Sequence, residues 1–529
     1  MIVTVYIAIA FLLGLGVRYI GLPPLVGYLI AGFGLNAYGI NDGDLLEHVA
    51  DIGVLLLLFS VGLKLRLKSL ARLEVLAGGL LHMAVSILFV MALAVYGAGL
   101  SLLSAGVIAV ALSFSSTVVA AKVLEQKKEL RAFHGRVAIG ILIVQDLVAV
   151  AFLSFASGQT PSPWAAVVLL LLVPLVRKLI HRLLDVSGHD ELLVLYGMLL
   201  ALVVGGAGFH LVGLSPELGA LILGVILAEH PRAKELVTAL WGLKEVFLVG
   251  FFLQIGMAGV PTWEMLGYAL LLTLLLPLKF VLFFFILIVF RLRARSAFLS
   301  GLGLATFSEF GLIVGHVAAE NGWLPNDWLV LMAITVAISF ALAAPLNRVA
   351  HNLYDRFGVR LQRYESAKRH PDDEPISCGS ANLLVMGMGR VGTGAYDYLT
   401  ELQQRVVGLD SDPGKVERHR KQGRRVLYAD AEDPGFWQNL RLDNVEAILL
   451  AMPELEANMI AVTQLRKRGF DGHISAVGVF PEHVAAFIEA GANVAFNYYD
   501  QAGAGFAERV WAVLDKESAG KEKPGTDLA

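Results

Sequence analysis

Residues 136–156 read RVAIGILIVQDLVAVAFLSFA. Apart from the arginine that opens it, the stretch is apolar and long enough to cross the roughly 30 Å hydrocarbon core of a bilayer as one helix. Its middle breaks the pattern with an amide and a carboxylate, Gln145 and Asp146. An ionisable group at that depth costs about 2.5–3.5 kcal/mol on insertion scales, so it stays only where it does something. A satisfied structural pair is the plain alternative, and an ion or proton site is the better account.

Outward from this stretch the pattern repeats. Thirteen apolar segments can be traced, near 2–18, 23–39, 49–64, 74–97, 102–121, 136–156, 164–182, 191–210, 215–229, 243–258, 264–290, 296–319 and 328–347. The first has no basic residue before it, so it reads as a span and not as a secretory signal. Positive charge near span ends marks the cytoplasmic side, and alternate loops take all of it. Arg18, four residues in 64–72, five in 122–136, and three each in 177–182, 232–244 and 291–295 make 19, against none in the intervening loops. Thirteen helices with the N-terminus outside and the C-terminal part in the cytoplasm satisfy that alternation.

Composition divides the chain at the end of the last span. The whole is 529 residues, 57% hydrophobic and 16% charged; residues 1–347 are 11% charged and residues 348–529 are 26% charged. The first part is a membrane body and the second has the charge content of a soluble domain. Their net charges of +1 and −4 offer no basic field for nucleic acid. A single cysteine, Cys378, rules out an internal disulfide and any multi-cysteine metal site.

Three further polar features lie inside the spans. Leu276-Pro277-Leu278-Lys279-Phe280 carries the one mid-span cation, which must snorkel, lose its proton or meet an acid, and Asp146 is the expected partner. Span five contains Ser113-Phe114-Ser115-Ser116-Thr117, and span twelve contains Thr306-Phe307-Ser308-Glu309-Phe310-Gly311. Broken helices at these places would leave carbonyls and half-helix dipoles to hold a dehydrated ion, whereas small-residue packing would leave them intact. Five and twelve are seven spans apart and opposite in direction, as an inverted repeat of spans one to six and eight to thirteen requires. Glu309 reads either as a second carboxylate at the ion site or as a helix-terminus partner. His210, His316, Gln254 and Glu217 are given no role.

Beyond the spans, 348–380 reads as a helix followed by an extended linker, 381–510 as a nucleotide-binding domain and 511–529 as a flexible tail. A strand, Asn382 to Met386, runs into Gly387-Met388-Gly389-Arg390-Val391-Gly392, glycines spaced for a tight turn and for a phosphate at a helix N-terminus. Eighteen residues after Gly392 a second strand ends in Asp410, placed to accept from ribose hydroxyls. Arg390 beside the turn is a phosphate contact or an exposed arginine. A third strand ends at Ala429-Asp430-Ala431, which resembles the adenine-side Gly-Asp-Ala motif of regulatory domains on potassium channels and transporters. Fourth and fifth strands, 447–452 and 474–477, complete a doubly wound sheet. About 130 residues leave no room for a substrate domain, so the nucleotide is expected to be a sensed ligand, and no enzyme activity is expected.

The Gln145-Asp146 pair, the Ser115-Ser116-Thr117 break, Gly213-Leu214-Ser215 followed by Leu218-Gly219-Ala220, and Ser308-Glu309-Phe310 together resemble the second branch of the cation:proton antiporter superfamily. With the fused nucleotide-binding tail of RCK/KTN type they resemble its Kef-type potassium:proton antiporters. The resemblance implies a bacterial inner-membrane homodimer in which a core with two crossed, broken helices exposes the ion site to each side in turn. It implies potassium and proton as substrates, with Asp146 binding one or the other and with Gln145, Ser115, Ser116, Thr117, Glu309 and Lys279 around it. It implies AMP or NAD(H) as a regulatory nucleotide on Gly387, Gly389, Arg390, Val391, Gly392, Asp410, Asp430 and Ala431, and it admits a cytosolic regulatory subunit. Sodium:proton exchange and a nucleotide-gated potassium channel stand as alternatives, and an NADH-consuming membrane oxidoreductase lacks a visible haem or flavin pattern. Two departures stand out. Gly62-Leu63-Lys64 replaces the usual Gly-Leu-Glu, and the acidic loop of glutathione-gated members is not recognisable in Glu229-His230-Pro231-Arg232-Ala233-Lys234-Glu235, so the sequence leaves glutathione control open.

Overall fold

A computed structural model describes residues 2–40, 43–64, 72–127, 129–130, 132–156, 177–211, 215–366, 370, 378–429, 431, 436–437 and 440–521. The chain forms two compact units, Met1–Asp373 and Glu374–Ala529.

In the first unit, eight helices among the described residues are long and apolar enough to cross a bilayer, and a bent pair, Ala294–Leu304 with Glu309–Glu320, makes a ninth crossing. Three shorter apolar helices, Val3–Tyr19, Pro24–Ala37 and Pro216–Leu227, match spans one, two and nine. Twelve of the thirteen expected segments are therefore helical; most of the seventh, 164–182, lies outside the described residues.

Packing repeats at an offset of about 193 positions. Gly32 of span two lies against Gly256 of span ten, where an added Cβ would stand 2.7 Å from the Gly256 Cα. Gly62 of span three lies against Gly224 of span nine, with a corresponding distance of 2.9 Å. Span two meeting ten is thus repeated as span nine meeting three, the exchange of partners expected of two halves related by a two-fold axis. Helix backbones in contact need glycine at the contact, because in lipid it is close packing that holds helices together. The two breaks, at 114–116 and 305–308, obey the same offset.

Span thirteen, Asn326–Arg348, is followed almost at once by the helix Ala350–Leu361. Ala350 and Tyr354 are buried in a cluster with Phe133, Phe298 and Leu299. The start of the expected connector is thus part of the membrane unit.

The second unit is built on a parallel six-stranded sheet. Its strands are β1 (Leu383–Met386), β2 (Val406–Asp410), β3 (Val426–Tyr428), β4 (Ala447–Leu450), β5 (His473–Gly478) and β6 (Val494–Asn497), in the order β3-β2-β1-β4-β5-β6. Leu384 at the centre pairs Val407 on one side and Ile448 on the other, and all three are buried. This is the doubly wound order whose switch point lies between β1 and β4, beside the first glycine turn. The sixth strand was not expected from the sequence. It is a half-exposed edge, so it lacks the continuous apolar run that marks β1 and β4. The last helix, Tyr498–Lys521, continues past the boundary at 510 and through much of the expected tail.

Candidate ion site and nucleotide site

Span five stops at Ser113 and resumes at Thr117. Hydroxyls and an amide take over the backbone groups that the helix gives up. Ser116 caps the second half, its Oγ accepting from Val119 N at 3.2 Å. The Ser115 N–H donates to Gln145 Oε1 at 2.9 Å, and the Ser116 N–H donates to Thr306 Oγ1 at 3.0 Å. Span twelve breaks in the same way: its helix resumes at Glu309 behind Ser308, and the Phe307 N–H donates to Ser339 Oγ at 3.3 Å. Every buried backbone donor needs a partner, so these polar side chains are what make two unwound turns tolerable in apolar surroundings.

The breaks lie against each other. Ser116 Oγ donates to Glu309 Oε2 at 2.9 Å, and Gly311 leaves no space for a Cβ beside Ala111 of span five. Span six supplies the third wall. Thr117 Oγ1 donates to Asp146 at 3.2 Å to Oδ2 and 3.4 Å to Oδ1, while Gln145 holds the neighbouring backbone. Asp146 is 2% exposed, and Gln145, Ser115, Ser116 and Glu309 are buried with it. Among the described residues, Ser115 Oγ, Glu309 Oε1 and Gln145 Nε2 have no hydrogen-bond partner. Two oxygens with spare lone pairs near a buried carboxylate are the donor type a monovalent cation takes on losing its water. The same carboxylate would take a proton in the cation's absence.

Lys279 does not pair with Asp146. Its ammonium donates to three main-chain carbonyls, Phe114 O at 2.6 Å, Thr306 O at 2.9 Å and Leu112 O at 3.4 Å, and lies 5.4 Å from the centre of the Phe307 ring. Three N–H donors are answered by three carbonyls left open at the broken turns, which carry the negative end of the half-helix dipole. This corrects two expectations at once. The lysine needs no carboxylate, and these carbonyls face a fixed cation and not a transported one. Thr306 and Ser339 both matter to the breaks; Ser339, alone between Ile338 and Phe340, gave little signal in the sequence. His82 is another buried group not anticipated, stacked on Phe283 at 3.5 Å in span four. Gly213 and Leu214 of the external motif lie outside the described residues.

At the nucleotide turn, Gly387 has φ +93° and a Cβ on Gly392 would overlap the Gly387 carbonyl, so both positions require glycine. Gly389 caps the helix Arg390–Glu401 and has nothing within 4 Å of where its Cβ would be, the open approach that a phosphate needs. Asp410 ends β2 and braces the turn, accepting from Met388 N at 2.9 Å and from Asp412 N at 2.8 Å, with Lys415 Nζ at 3.8 Å. Each oxygen keeps a lone pair for a ribose hydroxyl. Arg390 and Val391 are exposed beside the turn. Ala431 is buried in the core, and its carbonyl accepts from Trp437 Nε1 at 2.7 Å; Asp430 lies outside the described residues.

Residues 7–348 match the family described as sodium/hydrogen exchanger, transmembrane, and residues 383–498 match the TrkA-N domain. The putative cation/proton antiporter YbaL of Escherichia coli (strain K12) is 28% identical over 524 residues, 92% of each chain. The glutathione-regulated potassium-efflux system protein KefC of Klebsiella pneumoniae (strain 342) is 30% identical over 491 residues, 87% of this chain and 76% of its own. A crystal structure of the TrkA-N domain of inner membrane protein ybaL from Escherichia coli is 22% identical and covers 25% of this chain and 96% of its own, with a TM-score of 0.23, too slight a likeness to carry weight.

Proposed function

Because the chain belongs to the sodium/hydrogen exchanger family, as a Kef-type cation/proton antiporter with a TrkA-N domain behind it, we propose that it exchanges potassium for protons under the control of a nucleotide. The observation that carries this reading is the convergence on one buried point of Asp146 with Thr117, Gln145 with Ser115, and Glu309 with Ser116. Asp146 binds a proton or a cation, one displacing the other. In the cation-bound state Ser115 Oγ, Thr117 Oγ1 and a Glu309 oxygen complete the shell. Gln145 in place of a second acid keeps the exchange electroneutral and favours the larger, more weakly hydrated potassium over sodium. KefC, named as a glutathione-regulated potassium-efflux system protein, supports the same choice.

Alternating access follows from the repeat: the core with the two breaks moves against the remaining spans, in a homodimer of the bacterial inner membrane. The 19 basic residues orient it with the N-terminus outside and the TrkA-N domain in the cytoplasm. There AMP or NAD(H) binds on Gly387 to Gly392 with its ribose on Asp410, and biases transport only as far as it binds one conformation more tightly than the other. The nucleotide is sensed and not turned over, so no enzyme activity accompanies it. A cytosolic subunit is a further partner open to the domain.

Proteoliposomes loaded with a pH-sensitive dye test the reading. Potassium and rubidium gradients move protons, sodium gradients do so several-fold more slowly, and AMP or NADH on the domain's side changes the rate. Sodium as the preferred ion would favour a sodium:proton exchanger. Potassium flux without proton movement would make the protein a channel and end the proposal.

A further inference from the structure

Two buried side chains, Glu129 and His134, and the half-buried His351 meet outside the ion site, between the spans and the segment that leads to the TrkA-N domain. Glu129 lies in the link between spans five and six and is 4% exposed. Its Oε2 is 3.1 Å from His134 Nε2, on the first turn of the helix that carries Asp146. Its Oε1 is 2.6 Å from His351 Nε2, on the helix Ala350–Leu361 that follows the last span. The His351 Nδ1 faces Arg295 Nη2 at 3.1 Å, at the start of span twelve. A guanidinium only donates, so that Nδ1 accepts, and the imidazole proton sits on Nε2, aimed at Glu129. One carboxylate thus joins span six to the connector, and the connector in turn is held to span twelve.

Two more attachments follow along the connector. The Ala294 N–H, which opens the first helix of span twelve, donates to Glu365 Oε1 at 3.0 Å. The His370 N–H donates to Arg291 O at 2.9 Å, and its ring lies 3.5 Å from Glu74 of span four. A slack linker would contact nothing. This one is fastened to spans four, six and twelve, two of which hold Asp146 and Glu309.

We propose that residues 350–366 together with His370 form a strap through which the TrkA-N domain acts on the ion-carrying helices, with Glu129 between His134 and His351 as its joint. The proposal rests on the nucleotide-regulated reading above. A bound nucleotide can bias transport only through an element whose arrangement differs between the two transport states, and the held joint seen here would supply one of them, its release the other. Glu129→Gln tests it. The amide accepts at one atom and donates at the other, so one of the two imidazole N–H groups loses its acceptor.

The experiment uses the full-length protein in proteoliposomes, with potassium-driven proton exchange measured with and without AMP or NADH. Nucleotide binding is followed on the same protein by thermal shift, and amide hydrogen exchange over 350–361 is measured without nucleotide. In Glu129→Gln we expect exchange without nucleotide to stay within twofold of wild type and the nucleotide to bind as before. We also expect the nucleotide's effect on rate to fall at least fivefold, and amide protection over 350–361 to fall at least tenfold. A variant that responds to nucleotide as wild type does overturns the joint, and so does unchanged protection. A wild type that ignores every nucleotide overturns the regulatory reading itself, and the protection measurement then decides the strap alone.

Discussion

Lys279 shows how much a single residue's partners matter. Its ammonium fills the carbonyls of both broken turns, so its removal should act on the fold more than on the proton chemistry of Asp146. Lys279→Leu leaves three buried carbonyls unanswered and is expected to cost about 3 kcal/mol, read as loss of monodisperse protein on heating in detergent. Lys279→Gln keeps two N–H donors and should retain the wild-type pH dependence of exchange; a shifted profile would restore the pairing with Asp146. Glu129 gives a prediction in pH. Burial alone would raise its pKa, but the hydrogen bonds from His134 and His351 outweigh burial and hold the carboxyl far below the ordinary range. Its stabilisation is then complete above about pH 4.3, the unfolded value, and is lost only as pH falls further. The difference in thermal stability between wild type and Glu129→Gln should therefore shrink as pH falls below 4.

At the scale of elements, both sites are interruptions that their flanking side chains make affordable. The Gly387 to Gly392 turn divides two roles that adjacent glycines usually blur. Gly392→Ala drives a Cβ into the Gly387 carbonyl and should lose nucleotide binding together with the domain's stability. Gly389→Ala meets nothing within 4 Å among the described residues, so it should fold as wild type and lose only the nucleotide, because its methyl fills the phosphate approach. Thermal shift with and without NADH separates the two outcomes. The breaks, the Gln145-Asp146 pair and the glycine turn were legible in the sequence because each puts polar or flexible residues where periodicity demands apolar ones. What Lys279 would bind was not legible, since its acceptors are backbone carbonyls that any residue carries. Ser339 was hidden for a similar reason: one serine in an apolar span looks the same whether it packs or caps.

For the whole molecule, composition separated membrane body from soluble domain, but the connector blurs that boundary. Charge marked 348–380 as a connector of helix and extended linker, yet His351 and Glu365 in it contact residues far off in the sequence: Glu129 and His351 are 222 positions apart. No local pattern announces such a joint. Cys378, the single cysteine, reports on the second unit's opening. It is 2% exposed; burial raises its thiol, Arg425 partly offsets this, and Asp443 adds to it. The reactive thiolate is therefore scarce at neutral pH. Alkylation by a maleimide at pH 7 should be slow in the native protein, quicken as pH rises, and become fast on unfolding in denaturant; rapid labelling of native protein would place Cys378 outside the core.

The central claim is that Asp146 is the group on which proton and cation replace one another. Potassium-driven proton movement in proteoliposomes containing Asp146→Asn, compared with wild type at equal reconstitution, tests it most directly. Exchange should vanish, since the amide neither binds a proton in this pH range nor offers a charge to the cation. Undiminished exchange in that variant would contradict the account.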